Sequence, residues 1–140
     1  MKGRILAIDP GGRRVGLALT DPLRIIASPY KTLLINDTED ALVQIQEVLD
    51  NEEVTEIVVG LPLRAGDKKS EQAQRVETFI AALRKHVTQP VHVIDESYSS
   101  VEAEASLHAM GKKVGQDKGA VDRIAAAIIL KQYLNESQGY

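Results

Sequence analysis

The chain has 140 residues, with 17 Lys and Arg against 20 Asp and Glu for a formal net charge of −3. That length suits one domain, which can bury about 68–70% of its unfolded surface and so needs neither metal nor disulfide to fold. The absence of cysteine excludes disulfide scaffolds, thiol catalysis and cysteine-ligated zinc, and the acidic balance argues against a nonspecific nucleic-acid coat protein without excluding a local basic patch.

The elements alternate in period along the chain. Ile5-Leu6-Ala7-Ile8 is a short apolar strand closed by Asp9-Pro10-Gly11-Gly12, because the residue before proline favours extended geometry and Gly-Gly marks a turn. Val15 to Thr20 predicts a second strand, Asp21-Pro22 a turn, and Ile25-Ile26-Ala27 with Tyr30 and Thr32 a third, the three forming an antiparallel meander. Ala41, Leu42, Ile45, Val48 and Leu49 then recur at helical spacing, with Asp37 or Thr38 as N-cap.

Thr55 to Leu61 is a mostly apolar strand, as expected when both faces of a sheet are covered. A polar loop from Arg64 to Lys69 leads to a helix carrying Ala73, Val76, Phe79, Ile80 and Leu83, and Val91 to Ile94 is a fifth strand ending in Asp95-Glu96. Ser99-Ser100-Val101-Glu102 has the capping-box form and predicts a helix to about Met110; the glycine- and lysine-rich loop Gly111 to Gly119 precedes a last helix over Ala120 to Leu134.

The order βββαβαβαα predicts an α/β domain over residues 1–140: a five-stranded mixed sheet, meander plus parallel strands, flanked by helices. No apolar run approaches a membrane span, and the start of the chain moves directly into a strand, so a soluble cytoplasmic protein is expected. Trp is absent and aromatics make up 4%, which speaks against stacking platforms for single strands.

Ligand sites in such sheets lie beyond the carboxyl ends of the parallel strands, where Asp9, the Gly60-Leu61-Pro62 turn and Asp95-Glu96 all fall. Asp122 stands in a helix apolar on nearly every face, and a carboxylate there must be protonated, paired or bound to a cation. Each acid alone has a plain explanation: Asp9 as a turn residue, Asp95-Glu96 as charge near a helix N-terminus, Asp122 as a partner of Lys118 or Arg123. Together, three acids from separate segments suit a hard cation.

Three segments also carry a family resemblance. Asp9-Pro10-Gly11-Gly12-Arg13-Arg14-Val15-Gly16-Leu17-Ala18, Val59-Gly60-Leu61-Pro62-Leu63 and Lys118-Gly119-Ala120-Val121-Asp122-Arg123-Ile124-Ala125-Ala126 resemble the YqgF family, also called RuvX, in order and with suitable spacing. The helix opening at Glu71-Gln72-Ala73-Gln74-Arg75-Val76 is similar to the one that follows in that family. The chain departs from the pattern where an arginine usual in the family is Ser97.

The resemblance implies an RNase H-like domain related to the Holliday-junction resolvase RuvC. It further implies a nuclease assigned to 5′-end maturation of pre-16S ribosomal RNA or, by analogy, to junction resolution. Carried over by position, the acids are Asp9, Glu96 and Asp122. Two Mg²⁺ or Mn²⁺ would then serve phosphodiester hydrolysis, Asp9 bridging them, Glu96 and Asp122 each holding one, and Asp95 a possible neighbour. Only one of Asp95 and Glu96 can face such a site on a regular strand.

Arg13, Arg14, Arg64, Lys112, Lys113 and Lys118 are the candidate contacts to a nucleic acid, precursor rRNA or branched DNA, with ribosomal particles as further partners and a monomer or homodimer as the acting form. Two other classes fit less well. An actin-like ATPase shares a D-x-G hairpin but closes two such domains around its nucleotide, and an RNA- or ribosome-binding module would keep the fold without the reaction.

Overall fold

The computed structural model describes residues 3–62, 71–95 and 118–137. β1 (Arg4–Pro10), β2 (Arg14–Thr20) and β3 (Ala27–Leu34) form the expected antiparallel meander. The β1–β2 turn closes through the Gly11 N–H, which donates to the Arg14 carbonyl at 2.9 Å. A Cβ on Gly11 would stand 2.3 Å from that oxygen, so the turn requires glycine.

The third strand starts later than its apolar residues predict. Asp21 accepts hydrogen bonds from the N–H groups of Ile25 and Ile26 at 2.8 and 2.7 Å, which takes both amides out of the ladder and leaves Ile25 and Ile26 exposed.

α1 (Thr38–Asn51) has Asp37 as its N-cap, accepting from the Asp40 N–H at 2.8 Å, and buries Ala41, Ile45, Val48 and Leu49. β4 (Val54–Leu61), α2 (Glu71–His86), β5 (Val91–Asp95) and α3 (Lys118–Ser137) complete the described elements. α3 opens before the expected Ala120, taking Lys118 and Gly119 from the anticipated loop into its first turn. The predicted helix over Ser99 to Met110, the loop from Arg64 to Lys69 and the residues from Gly111 to Asp117 lie outside the described residues.

The sheet order is β3-β2-β1-β4-β5, with β4 parallel to both β1 and β5. Side chains alternate across it and divide the core in two. Leu6, Ile8, Val15, Leu17, Ile57, Val59 and Val91 face α1 and α2. Ile5, Ala7, Ala18, Val58 and Ile94 face α3, packing on Ala126, Ile129 and Leu130.

α3 crosses the whole meander and β4, which explains why its sequence shows so little polar face. Where the β1–β4 register slips, the buried Ile5 N–H donates to Thr20 Oγ1 at 2.9 Å. No helix among the described residues is long and apolar enough to cross a membrane.

Candidate active site

Strand alternation sets the site. Ile5 and Ala7 of β1 face α3, so Asp9, two residues on, stands on the same face at the carboxyl-terminal edge. Its partner across β2 is Gly16, and Gly60 on β4 lies one step beyond Val59 as Asp9 lies one step beyond Ile8. The Asp9 carboxylate is therefore flanked by two residues without side chains.

Gly16 also seats the helix. A Cβ built on it would lie 2.0 Å from the Asp122 carbonyl oxygen and 2.9 Å from Asp122 Cβ, so α3 reaches β2 only because that position is glycine. Gly16 pairs in turn with Thr32 on β3, whose Oγ1 donates to the Gly119 carbonyl at 2.6 Å and accepts from Arg123 Nη1 at 3.2 Å. One cross-strand row, Asp9-Gly16-Thr32, thus holds the first turns of α3 and brings Asp122 beside Asp9.

Asp122 is ion-paired with Arg14, whose Nε donates to Oδ2 at 2.9 Å. Burial pushes its carboxyl above the ordinary carboxylate range, and the charges of Arg14 and Arg123 only partly oppose this. The hydrogen-bonded partner is not a neighbour in sequence. It comes from the β1–β2 turn, 108 residues away in sequence.

The other predicted residues divide by position. Arg13 is exposed and gives its carbonyl to the Ile35 N–H at 2.9 Å. Lys118 is the first residue of α3. Asp95 is exposed and shares the alternation of Val91, whose side chain packs in the core beneath α1 and α2, whereas Ile94 faces α3. Asp95 thus stands on the face away from Asp9 and Asp122. Glu96, Arg64, Lys112 and Lys113 lie outside the described residues.

Among the described residues no set of three or more His, Cys, Asp or Glu is gathered for a metal; Asp9 and Asp122 meet at the carboxyl-terminal edge of this face, while Glu56, lower on the same face, accepts from Tyr133 and Arg24. Gly16 stands within the Asp9 to Ala18 motif, and a glycine inside the apolar strand Val15 to Thr20 is the usual mark of a close backbone approach, whereas Thr32 carries no such local signal.

A five-stranded mixed sheet with a meander and two parallel strands, flanked by helices, is the RNase H-like architecture. Solved structures share it: RuvC of Thermus thermophilus in complex with a Holliday junction superposes with a TM-score of 0.61 at 15% identity, covering 98% of this chain and 96% of that one. The fowlpox virus resolvase with Holliday junction DNA gives 0.57 at 10% identity, covering 96% and 98%.

The family model "RuvX: Holliday junction resolvase" matches residues 3–136, and the chain belongs to that family. Curated relatives carry the name of candidate pre-16S rRNA nuclease. One from Koribacter versatilis is 42% identical over 132 residues, 94% of this chain and 86% of the relative. Another from Maridesulfovibrio salexigens is 39% identical over 132 residues, 94% and 97% of the two. The protein is a nuclease, and nucleic acid is its class of partner.

Proposed function

We propose that the chain cleaves phosphodiester bonds with divalent cations, Mg²⁺ or Mn²⁺, held by Asp9, Asp122 and Glu96, and that it acts in 5′-end processing of pre-16S ribosomal RNA in the cytoplasm, on ribosomal particles. The observation that carries this reading is the pair of carboxylates on one face of the sheet, Asp9 between two glycines and Asp122 seated on one of them. The names of the curated relatives support RNA as the substrate.

The donors suit the cations. Carboxylate oxygens are what Mg²⁺ and Mn²⁺ take, and a carboxyl whose charge is disfavoured by burial gains from a bound cation. Glu96 is preferred to Asp95 as the third acid because Asp95 stands on the other face of β5. When bound, such cations supply a water deprotonated near neutral pH and charge stabilisation for the leaving oxygen.

The chain's own residues do the positioning. Asp9 and Asp122 would hold the cations, Gly16 seats α3 so that Asp122 reaches the Asp9 edge, and Arg14 holds Asp122 through Nε. Arg13, Arg64, Lys112, Lys113 and Lys118 supply further cationic contacts to the strand.

The test is cleavage of precursor 16S RNA and of a four-way DNA junction by the full chain, each with Mg²⁺, Mn²⁺ or EDTA. Metal-dependent cleavage of the RNA is expected, reduced on the order of 10²–10³-fold or more in Asp9→Asn, Glu96→Gln and Asp122→Asn with the circular dichroism unchanged. Cleavage of the junction alone would transfer the reading to junction resolution, and undiminished cleavage by Asp9→Asn would overturn the site.

A further inference from the structure

A cavity of about 600 Å³ opens at the same edge of the sheet as Asp9 but on the opposite face, between the β1–β2 turn and the first turns of α1 and α2. Its floor is apolar, formed by Val76, Phe79 and Ile35, and Phe79 is the one phenylalanine of the chain. Its rim is polar: Arg75, Gln72 and the acidic Glu71 on α2, and Asp37 at the start of α1.

The polar groups are unequally spent. Arg75 is exposed and makes no ion pair or side-chain hydrogen bond among the described residues. Asp37 uses Oδ1 to cap α1, which leaves Oδ2 to accept from a ligand. The first turn of α1 also carries Glu39 and Asp40, so that corner repels an anion. A ligand that fits must place a negative group at Arg75, hydrogen-bond donors at Asp37 and a flat apolar surface on Phe79 and Val76.

We propose that this cavity receives one unstacked nucleotide of the substrate strand, with its phosphate at Arg75 and its base on the Phe79 floor. The proposal rests on the nuclease reading above and adds to it a subsite that selects single-stranded over paired flanks. Three properties support it. The volume lies within the range of sites that enclose a small molecule. Guanidinium is the side chain best matched to phosphate, and unstacked bases seek apolar and aromatic surfaces. Pro10 follows Asp9 directly and belongs to the cavity wall, so a strand with a phosphate at Asp9 has only the β1–β2 turn to cross.

Gly12 on that turn lines the cavity and offers a place to narrow it. Nothing lies within 4 Å of a Cβ built there, so a larger side chain enters without displacing backbone.

The experiment is binding of a short fluorescein-labelled single-stranded RNA to the full chain in EDTA, read by anisotropy, with one abasic site moved along the strand. One position is expected to weaken binding about tenfold in the wild type. In Arg75→Ala and Gly12→Leu the intact strand binds about tenfold more weakly and the abasic penalty disappears. A flat scan overturns the proposal, as does a penalty that survives both variants.

Adenosine and guanosine monophosphate are titrated in parallel. Their binding alongside a flat scan would assign the cavity to a free nucleotide and overturn the strand subsite. Because no cleavage is measured, the outcome is independent of the nuclease reading: a position-dependent penalty stands even if the cleavage assay fails, and active cleavage with a flat scan removes the subsite alone.

Discussion

Asp122 carries opposing demands on a single side chain. Burial disfavours its ionised form by more than Arg14 and Arg123 favour it, so its folded pKa lies above the unfolded one. Between those two values the folded chain binds more protons than the unfolded chain, and stability falls as pH rises through that window. Asp122→Asn is therefore expected to unfold at a higher temperature than the wild type in metal-free buffer at neutral pH. The difference should vanish below about pH 4, where the carboxyl is protonated in both states; calorimetry across pH checks it, and a less stable variant at pH 7 would contradict it.

Arg14 acts on the same balance from the other side. Arg14→Ala removes the charge that lowers the Asp122 pKa, so the acid limb of any metal-dependent activity is expected to move to higher pH. Arg14→Lys should restore most of that limb, a pattern that loss of a phosphate contact alone would not produce.

Among the elements, the contact of α3 with β2 depends on one missing side chain. Gly16→Ala places a Cβ 2.0 Å from a backbone oxygen, and α3 must move away from the Asp9 edge. A loss of about 1–3 kcal/mol is expected, the range for overpacking a tight contact, together with loss of cleavage. Gly12→Ala, facing open space, is expected to change stability by less than about 0.5 kcal/mol. Urea denaturation of the two variants decides this.

Thr20 tests the other end of the sheet. Its buried hydroxyl is the acceptor for the Ile5 N–H where β1 and β4 slip, so Thr20→Val leaves a buried donor unpaired at a cost of about 1–3 kcal/mol. The same denaturation series measures it.

For the whole molecule, a net charge of −3 is compatible with a nucleic-acid partner because part of the acidity is gathered where cations are proposed to bind. The basic residues near the carboxyl edge, Arg13 and Arg14 among them, are expected to neutralise two or more phosphates. Binding of single-stranded RNA should then weaken with salt at a logarithmic slope steeper than about −1.4, and a slope near zero would remove these residues from substrate contact.

Much of this molecule is legible in its sequence because strand and helix periods are local properties. The alternation in Ile5 to Asp9, the apolar run of β4 and the spacing in α1 each declare their element within a few residues, and Asp9 and Asp122 stand out as acids in apolar company. What sequence alone leaves open is which groups meet. The partner of Asp122 is Arg14 across 108 residues, the seat of α3 is a glycine on another strand, and the face on which Asp95 lies has meaning only once α3 covers one side of the sheet. Local periodicity determined the elements and the residue types available for chemistry. The tertiary structure decided their company, because long-range packing and burial, absent from any local pattern, bring two carboxylates to one face and raise the pKa of one of them.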